Sequence, residues 1–488
     1  ITRTDGSFSS RNWVRRKAFS QLNVFKIKPY IGIYYEKRDG DINEVSNFQF
    51  LEHTFGIESS SEGKMRWKIE NHIRRDDSFS NEQWITKTDA QDINFTGQIL
   101  NWKNISSQWN YTKRIKKYYG DNSSPDINFQ LIYLMLKHNP RKLPFHWETN
   151  VKVEEERTVK KEWRYFYVGE GEGQFLYDST FADYVPHPQG DYILRIMPSN
   201  IKEPVTSFQN GIRFQFNGSS LKKKILSYDS YEWTLLKNIT TLTDIRLQQQ
   251  IKKGGNPFEL WTFSPSKIDD KWAYFNRIIQ QDITYRIKSI RANVRFRLLN
   301  TNRISQLDVR GREKNFSNEY SIRYKGIFFW KIKLDSEVSS KILRRNSVFN
   351  SLRDRNIETI KYRNNISYLL NNVHYLGCEI LVNRDVQETL NPTKSFLTSV
   401  KSSYERKIKR KGRWKIFSEI DNVRVIPKGK PIPWEMSRGK KEGVTVGWGI
   451  SFEYRLGKYL SVRVNYEGWN EPQRDVFHIG SGEIRALF

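Results

Sequence analysis

Cationic side chains recur at alternate positions in this chain. Arg291, Arg295 and Arg297 fall opposite Ile290, Ala292, Val294, Phe296 and Leu298. Arg323, Lys325, Lys331 and Lys333 fall opposite Tyr320, Ile322, Tyr324, Phe328, Trp330 and Ile332. A period of two puts each set on one face of a strand. Fixed positive charge along a polar face attracts anions, whether it lines a passage or forms a docking strip. Three denser runs read as loop or strand-end patches for phosphate groups, a protein or nucleic acid: Lys113-Arg114-Ile115-Lys116-Lys117, Lys222-Lys223-Lys224 and Arg406-Lys407-Ile408-Lys409-Arg410-Lys411. Lysine and arginine number 82 against 54 acidic residues, a net +28. A solvated basic surface in a Lys-, Asn- and Ile-rich composition gives the same excess.

No other constellation supports chemistry of its own. Gly169, Gly171 and Gly173 lack the spacing of a dinucleotide-binding loop, and no helical pattern follows them. Glu170 and Glu172 place carboxylates where a phosphate needs backbone N–H groups. Asp178, Asp183 and Asp191 offer calcium-type oxygens, but without EF-hand spacing they read as turn-capping residues. The seven histidines show no paired metal spacing, and His187 and His478 read as structural or exposed. Cys378 is the single cysteine; with His374 it has no third partner, and it excludes an internal disulfide. The expectation is a protein that is not an enzyme and needs no cofactor and no metal.

The elements that must carry the basic residues are long strands. Val444, Val446, Trp448, Ile450, Phe452, Tyr454 and Leu456 alternate with small or polar residues, and so do Leu460, Val462, Val464 and Tyr466. The last run, Gly482 to Phe488, stops at an aromatic residue. Runs of about 9 to 15 residues exceed the usual globular strand and suit a tilted membrane strand. Aromatics near run ends, Trp13, Tyr35, Trp102, Trp163, Trp330, Trp448 and Trp469 among them, suit interfacial girdles. The phase slips between Tyr368 and Val382, which suggests a bulge, and Ser347 to Ile360 has room for a short helix. A strand plus loop every 20 to 25 residues gives about 20 strands. The first 160 residues alternate poorly. Residues 164–198, rich in glycine and proline, are expected to interrupt the ladder.

Length and hydropathy agree with that class. A chain of 488 residues is large for one ordinary domain, but a barrel grows by adding strands without thickening its core. The mean hydropathy is −0.72, and no stretch approaches the roughly 20 apolar residues of a membrane helix. The first residue is Ile1, so a processed or longer protein is expected.

Two stretches also resemble a known group. Val168-Gly169-Glu170-Gly171-Glu172-Gly173-Gln174 through Tyr184-Val185-Pro186-His187-Pro188-Gln189-Gly190-Asp191-Tyr192 is one. Ile432-Pro433-Trp434-Glu435-Met436 through Tyr454-Arg455-Leu456 to the terminal Gly482–Phe488 block is the other. Together they resemble the C-terminal β-rich parts of large outer-membrane and cell-envelope proteins of the Bacteroidota–Ignavibacteria group. The resemblance covers residues 160–488 loosely and implies an outer-membrane location and a terminal barrel. It also implies that Ile484, Ala486 and Phe488 form the C-terminal signal read by a barrel-assembly machine.

The expectation is therefore all-β: an antiparallel transmembrane β-barrel of long strands with polar loops and one Gly/Pro-rich insertion. Residues 1–160 form an N-terminal strand region, 161–200 the insertion, and 201–488 the C-terminal barrel strands. The expected function is a pore, a translocation channel or a membrane anchor of a larger envelope assembly in the bacterial outer membrane. Its lumen is cationic and lined by Arg291, Arg295, Arg297, Arg323, Lys325, Lys331 and Lys333. Outer-membrane lipid or lipopolysaccharide, the assembly machinery and other envelope proteins are the expected partners. A non-membrane surface or adhesive β-protein binding polyanions is the alternative, and a nucleic-acid-binding protein a weaker one. An unbroken apolar stripe on every strand separates the first from the second.

Overall fold

A computed structural model describes residues 2–486, apart from 5–6, 10–11, 40–46, 61–62, 81–82, 120–125, 141–142, 171–172, 179–182, 222–230, 253–271, 307–311, 330, 349–353, 372, 390–391, 409–410, 431, 458–459 and 473–474. The described residues form 25 strands and one α-helix. A small ribbon pairs β1 (Thr2–Thr4) with β2 (Ser7–Ser9). The main sheet starts with β3 (Asn12–Gln21), β4 (Ile27–Asp39), β5 (Phe48–Ser59), β6 (Met65–Ser80), β7 (Gln83–Trp102), β8 (Ile105–Tyr118), β9 (Ile127–His138) and β10 (Phe145–Tyr167). It continues with β11 (Gly173–Asp178), β12 (Asp183–Gly190), β13 (Tyr192–Asn217), helix α1 (Tyr231–Asn238), β14 (Ile239–Lys252) and β15 (Trp272–Ile287). The last strands are β16 (Ala292–Ser305), β17 (Glu313–Phe328), β18 (Ile332–Ser347), β19 (Arg355–Leu369), β20 (His374–Gln387), β21 (Thr393–Ile408), β22 (Gly412–Ile426), β23 (Gly443–Arg455), β24 (Leu460–Asn470) and β25 (Phe477–Ala486). Within the sheet, strands consecutive in the chain are hydrogen-bonded neighbours. The chain is all-β and antiparallel, as its alternation predicts. It divides into two compact units, Ile1–Phe214 with Arg246–Phe275 and Leu307–Val309, and Gln215–Ile245 with Asn276–Gln306 and Arg310–Phe488.

In the first unit β3 to β10 pair consecutively. Here the poor alternation expected of the first 160 residues gives way to two distinct faces. Ile31, Ile33, Leu51, Phe55, Ile69, Ile73 and Ile132 are exposed on one face. The other face bonds across strands: Trp13 Nε1 donates to Glu36 (2.9 Å), Tyr30 Oη to Glu70 (2.6 Å), and Arg114 makes two 2.7 Å bonds to Asp92. Aromatic residues on this polar face, such as Tyr34 packed edge-on to Phe50, hide the period of two in the sequence. The Gly/Pro-rich segment also departs from expectation. It keeps a ladder, since β11 pairs with β12 across Tyr177↔Tyr184, with one register shift between Gly173 and Phe175. Tyr165 stacks on Tyr184 at 3.9 Å, so ring packing supports a hairpin that glycine and proline weaken.

In the second unit β16 to β25 pair consecutively, each with its chain neighbour. The phase slip near Tyr368 is the turn between β19 and β20, not a bulge, because their register runs unbroken from Ile357↔Gln387 to Leu369↔Tyr375. The short helix expected at Ser347–Ile360 is absent from the described residues there, and Arg355–Ile360 opens β19. Connections at one end are short, spanning 329–331, 370–373, 409–411 and 456–459. At the other end they are longer, spanning 306–312, 348–354, 388–392 and 427–442.

Register fixes two faces here as well. Val338, Ile360, Val382, Val400, Ile420 and Ile450 are exposed on the apolar face. That stripe is not unbroken. Asn300 bonds Asn318 (2.5 Å) and Ser336 bonds Asn364 (2.8 Å) on the same face, while Ser402 pairs with Ser418 and Thr398 with Asn422. Polar residues thus enter the apolar face as cross-strand partners, two of the pairs hydrogen-bonded. Close strand contacts use glycine opposite aromatic rings. A Cβ on Gly449 would lie 2.4 Å from the Phe417 ring, and one on Gly468 would lie 2.7 Å from Trp448.

Candidate functional site: a loop folded onto the polar face

The polar face of β20 to β22 breaks its own rule at the long-loop end. Leu381, Leu397, Val423 and Val425 point to it and form a buried cluster, with exposures of 0 to 4%. Apolar groups on a polar face need a cover, since each buried side chain gains about 1.5–3 kcal/mol. The cover is the connection 427–442: Ile432 packs on the cluster, and Met436 is fully buried.

Three polar anchors hold this loop. Asp385 is 1% exposed and sits at the centre. Its Oδ1 accepts from Thr359 Oγ1 (2.6 Å). Its Oδ2 accepts from Asn383 (2.7 Å), from Ser395 Oγ (3.3 Å) and from the backbone N–H of Ser437 (2.7 Å). Ser437 Oγ also donates to Ser395 Oγ at 2.9 Å. Lys440 pairs with Asp421, itself 1% exposed, and lies 3.6 Å from Glu419, which also bonds Lys401 at 2.9 Å. Glu435 accepts from Arg345 at 2.8 Å. Between the anchors Ser437, Arg438 and Gly439 all have positive φ (47°, 57° and 76°), a strained run for the two non-glycine residues. The anchors leave Trp434 exposed (74%) and Arg438 exposed on the loop surface. The arrangement holds the loop to the polar wall.

The expected lining residues divide in two. Arg295, Arg297, Arg323, Lys325 and Lys333 lie on the polar face of β16 to β18, with Arg295↔Arg323 and Ile327↔Lys333 in register. Arg291 and Lys331 lie in the turns before β16 and β18. Most of the strand cations are compensated. Arg297 makes bonds of 2.7 and 2.8 Å to the two oxygens of Asp282, Arg323 takes both oxygens of Asp335, and Arg295 lies 4.0 Å from Glu337, which also pairs with Arg363 (3.2 Å). Lys325 and Lys333 form no ion pair within 4 Å among the described residues. The polar face is a ladder of alternating charge, not a strip of one sign. Of the denser basic runs, Lys113 to Lys117 lies inside β8, Arg406 to Ile408 ends β21, and Lys222 to Lys224 lies outside the described residues. Ile484 and Ala486 stand in β25, in register with Val462 and Leu460; Phe488 lies outside the described residues. Among the described residues no group of three His, Cys, Asp or Glu side chains is arranged to hold a metal ion.

Sequence reasoning reads Pro427 to Gly443 as a polar loop but missed its packing onto the strands, and it missed Asp385. Their signal was present as apolar residues side by side, Ile380-Leu381-Val382, Phe396-Leu397 and Val425-Ile426. A strand with a free polar face does not need them, whereas one covered on both faces does.

No protein-family model matches the sequence, and no curated protein is similar to it. Solved structures show similar chain courses. One is a copper transporter, OprC, with a TM-score of 0.41 and 7% identity, covering 98% of this chain and 79% of that one. The siderophore receptor PirA of Pseudomonas aeruginosa has a TM-score of 0.38 and 9% identity, covering 98% and 77%. OccK2 (OpdF) of the same species has 0.33 and 8%, covering 87% and 96%. Likeness at this level carries no function to this chain.

Proposed function

We propose that this chain is an outer-membrane β-barrel whose polar face lines a passage for polar solutes, narrowed by the loop 427–442. One observation supports the reading most. On the apolar face of the second unit, aromatic residues gather at the short-turn ends: Tyr368, His374, Tyr404, Trp414, Phe452 and Tyr454. His374 stacks on Tyr404 and Tyr404 meets Trp414 edge-on, at 5.9 and 5.2 Å. At the other end of the same face stand Arg384 and Arg424, flanking Phe396 in register. From Trp414 to Arg424 is ten residue steps along β22. At about 3.3 Å per residue and a tilt of about 40°, that is a band of roughly 25 Å. Membrane barrels carry an apolar band of about that height between interfacial girdles, with short turns at one end and longer loops at the other.

In this reading the chain works without catalysis, by passage or anchoring. Many cations on the polar face are neutralised by neighbouring carboxylates, so the anion preference expected from the sequence falls to those without an ion pair among the described residues, such as Lys325, Lys333, Lys341, Lys361 and Lys415, and to the exposed Arg438. The test is gel mobility of the detergent-extracted membrane fraction, boiled against unboiled, followed by single-channel recording. A heat-shifted band in the outer-membrane fraction and discrete conductance steps are expected. A soluble, unshifted band overturns the reading and favours a non-membrane surface β-protein.

A further inference from the structure

Arg384, Lys394 and Arg424 stand on the apolar face of β20, β21 and β22 at the long-loop end. Arg384 pairs with Phe396 and Phe396 with Arg424, so the three occupy one row; Lys394 lies two residues along β21 in the next row. All three cations are exposed. Arg384 lies over the Phe396 ring at 6.0 Å, and none of the three makes an ion pair among the described residues. Glu358, on β19, is the acid in that next row, reached through Val386. The setting contrasts with the ion pair that Lys401, on the polar face of β21, makes with Glu419.

Uncompensated charge on a lipid-facing surface is costly in hydrocarbon and stable at the head-group level, where phosphates supply the counter-charge. Arg384 and Arg424 are two strand intervals apart, about 10 Å, because neighbouring strands lie 4.7–4.9 Å apart. One phospholipid phosphate cannot meet both ends of that row. A head group with a phosphate at each end of a disaccharide can, with Phe396 beneath the sugar. Resting on the membrane reading above, we propose that Arg384, Lys394 and Arg424 form a docking site for a bisphosphorylated glycolipid of the outer leaflet. The site would seat the barrel at the level of that leaflet's phosphates.

The test uses the full chain purified in detergent and freed of lipid. Retention of bisphosphorylated lipid A, its dephosphorylated form and phosphatidylglycerol is measured by native mass spectrometry. The gel shift on boiling is recorded for each sample as an independent readout of the barrel. The wild type is expected to retain bisphosphorylated lipid A at least tenfold better than the other two lipids. The triple variant Arg384→Gln, Lys394→Gln, Arg424→Gln is expected to lose that retention while keeping its gel shift. Arg406→Gln, at the short-turn end of the same face, is expected to keep both. Equal retention by the shifted triple variant, or equal retention of phosphatidylglycerol by the wild type, overturns the docking site and leaves the barrel standing. A wild type without a gel shift overturns the membrane reading and the site with it.

Discussion

Asp385→Ala should release the loop from the polar wall. The carboxylate takes four hydrogen bonds, from Thr359, Asn383, Ser395 and the Ser437 N–H. Bonds to a charged acceptor contribute about 1.5–3 kcal/mol each, but they share one centre and do not add. Breaking a buried charged cluster typically costs 3–5 kcal/mol. On the other side of the balance, the left-handed Ser437 and Arg438 cost about 1–2 kcal/mol each, and every loop residue held in place costs about 1–2 kcal/mol of backbone entropy. The remaining holds are Met436 burial, the Lys440–Asp421 pair and the Glu435–Arg345 bond. A loss of about 3 kcal/mol shifts the seated-to-released ratio by more than a hundredfold. The variant should show a higher or a two-level single-channel conductance, and trypsin should cut at Arg438 much faster. Thr359→Val, which removes one donor and leaves the Ser437 bond, should change both by far less. If Asp385→Ala keeps its heat-shifted band yet matches the wild type in conductance and in cleavage rate, the loop is not anchored as described.

Other consequences are smaller but separable. Ile450→Arg, in the middle of the apolar face, should destabilise by about 2–4 kcal/mol; Ser451→Arg, on the opposite face, should be nearly neutral in urea-unfolding midpoint, and equal effects would refute the assignment of faces. Gly449→Val forces a side chain into the Phe417 ring and should lower stability by about 1–3 kcal/mol, with Phe417→Ala restoring part of it if the clash is the cause. Arg297→Ala leaves the 8% exposed Asp282 without its two-pronged partner. That should cost about 1–3 kcal/mol in thermal or urea unfolding, and a cost near zero would mean solvent screens the pair.

The sequence showed the architecture where its alternation was clean. Val444 to Leu456 and Leu460 to Tyr466 became β23 and β24 within a few residues of the expected ends. It obscured the first unit, because a face that hydrogen-bonds through Tyr30, Tyr34 and Trp13 is not polar by residue type. It obscured the loop for the opposite reason. Leu381, Leu397, Val423 and Val425 are apolar residues on a polar face, and a strict period of two counts them as noise. Turns were misread where a hairpin reverses the phase, as after Leu369. Long-range partners such as Ser437 and Asp385, 52 residues apart, leave no local trace at all.

The net charge of +28 invites one conclusion at the level of composition and another at the level of register. As composition, it points to a cationic lining that gathers anions. In register, the polar face neutralises much of itself: Arg297 meets Asp282, Arg323 meets Asp335, Lys401 meets Glu419, and Lys440 meets Asp421. A low-dielectric wall makes this economical, since each pair removes two desolvated charges from the list that water must satisfy. Cations free of such partners remain on the polar face, as Lys325 and Lys333 do, and stand also at the long-loop edge of the apolar face and on the exposed Arg438. There they can meet phosphate or solute without first breaking a bond within the sheet. The position of each charge relative to the strand's two faces, more than the sum of charges, therefore decides which cations stand free to meet an anion.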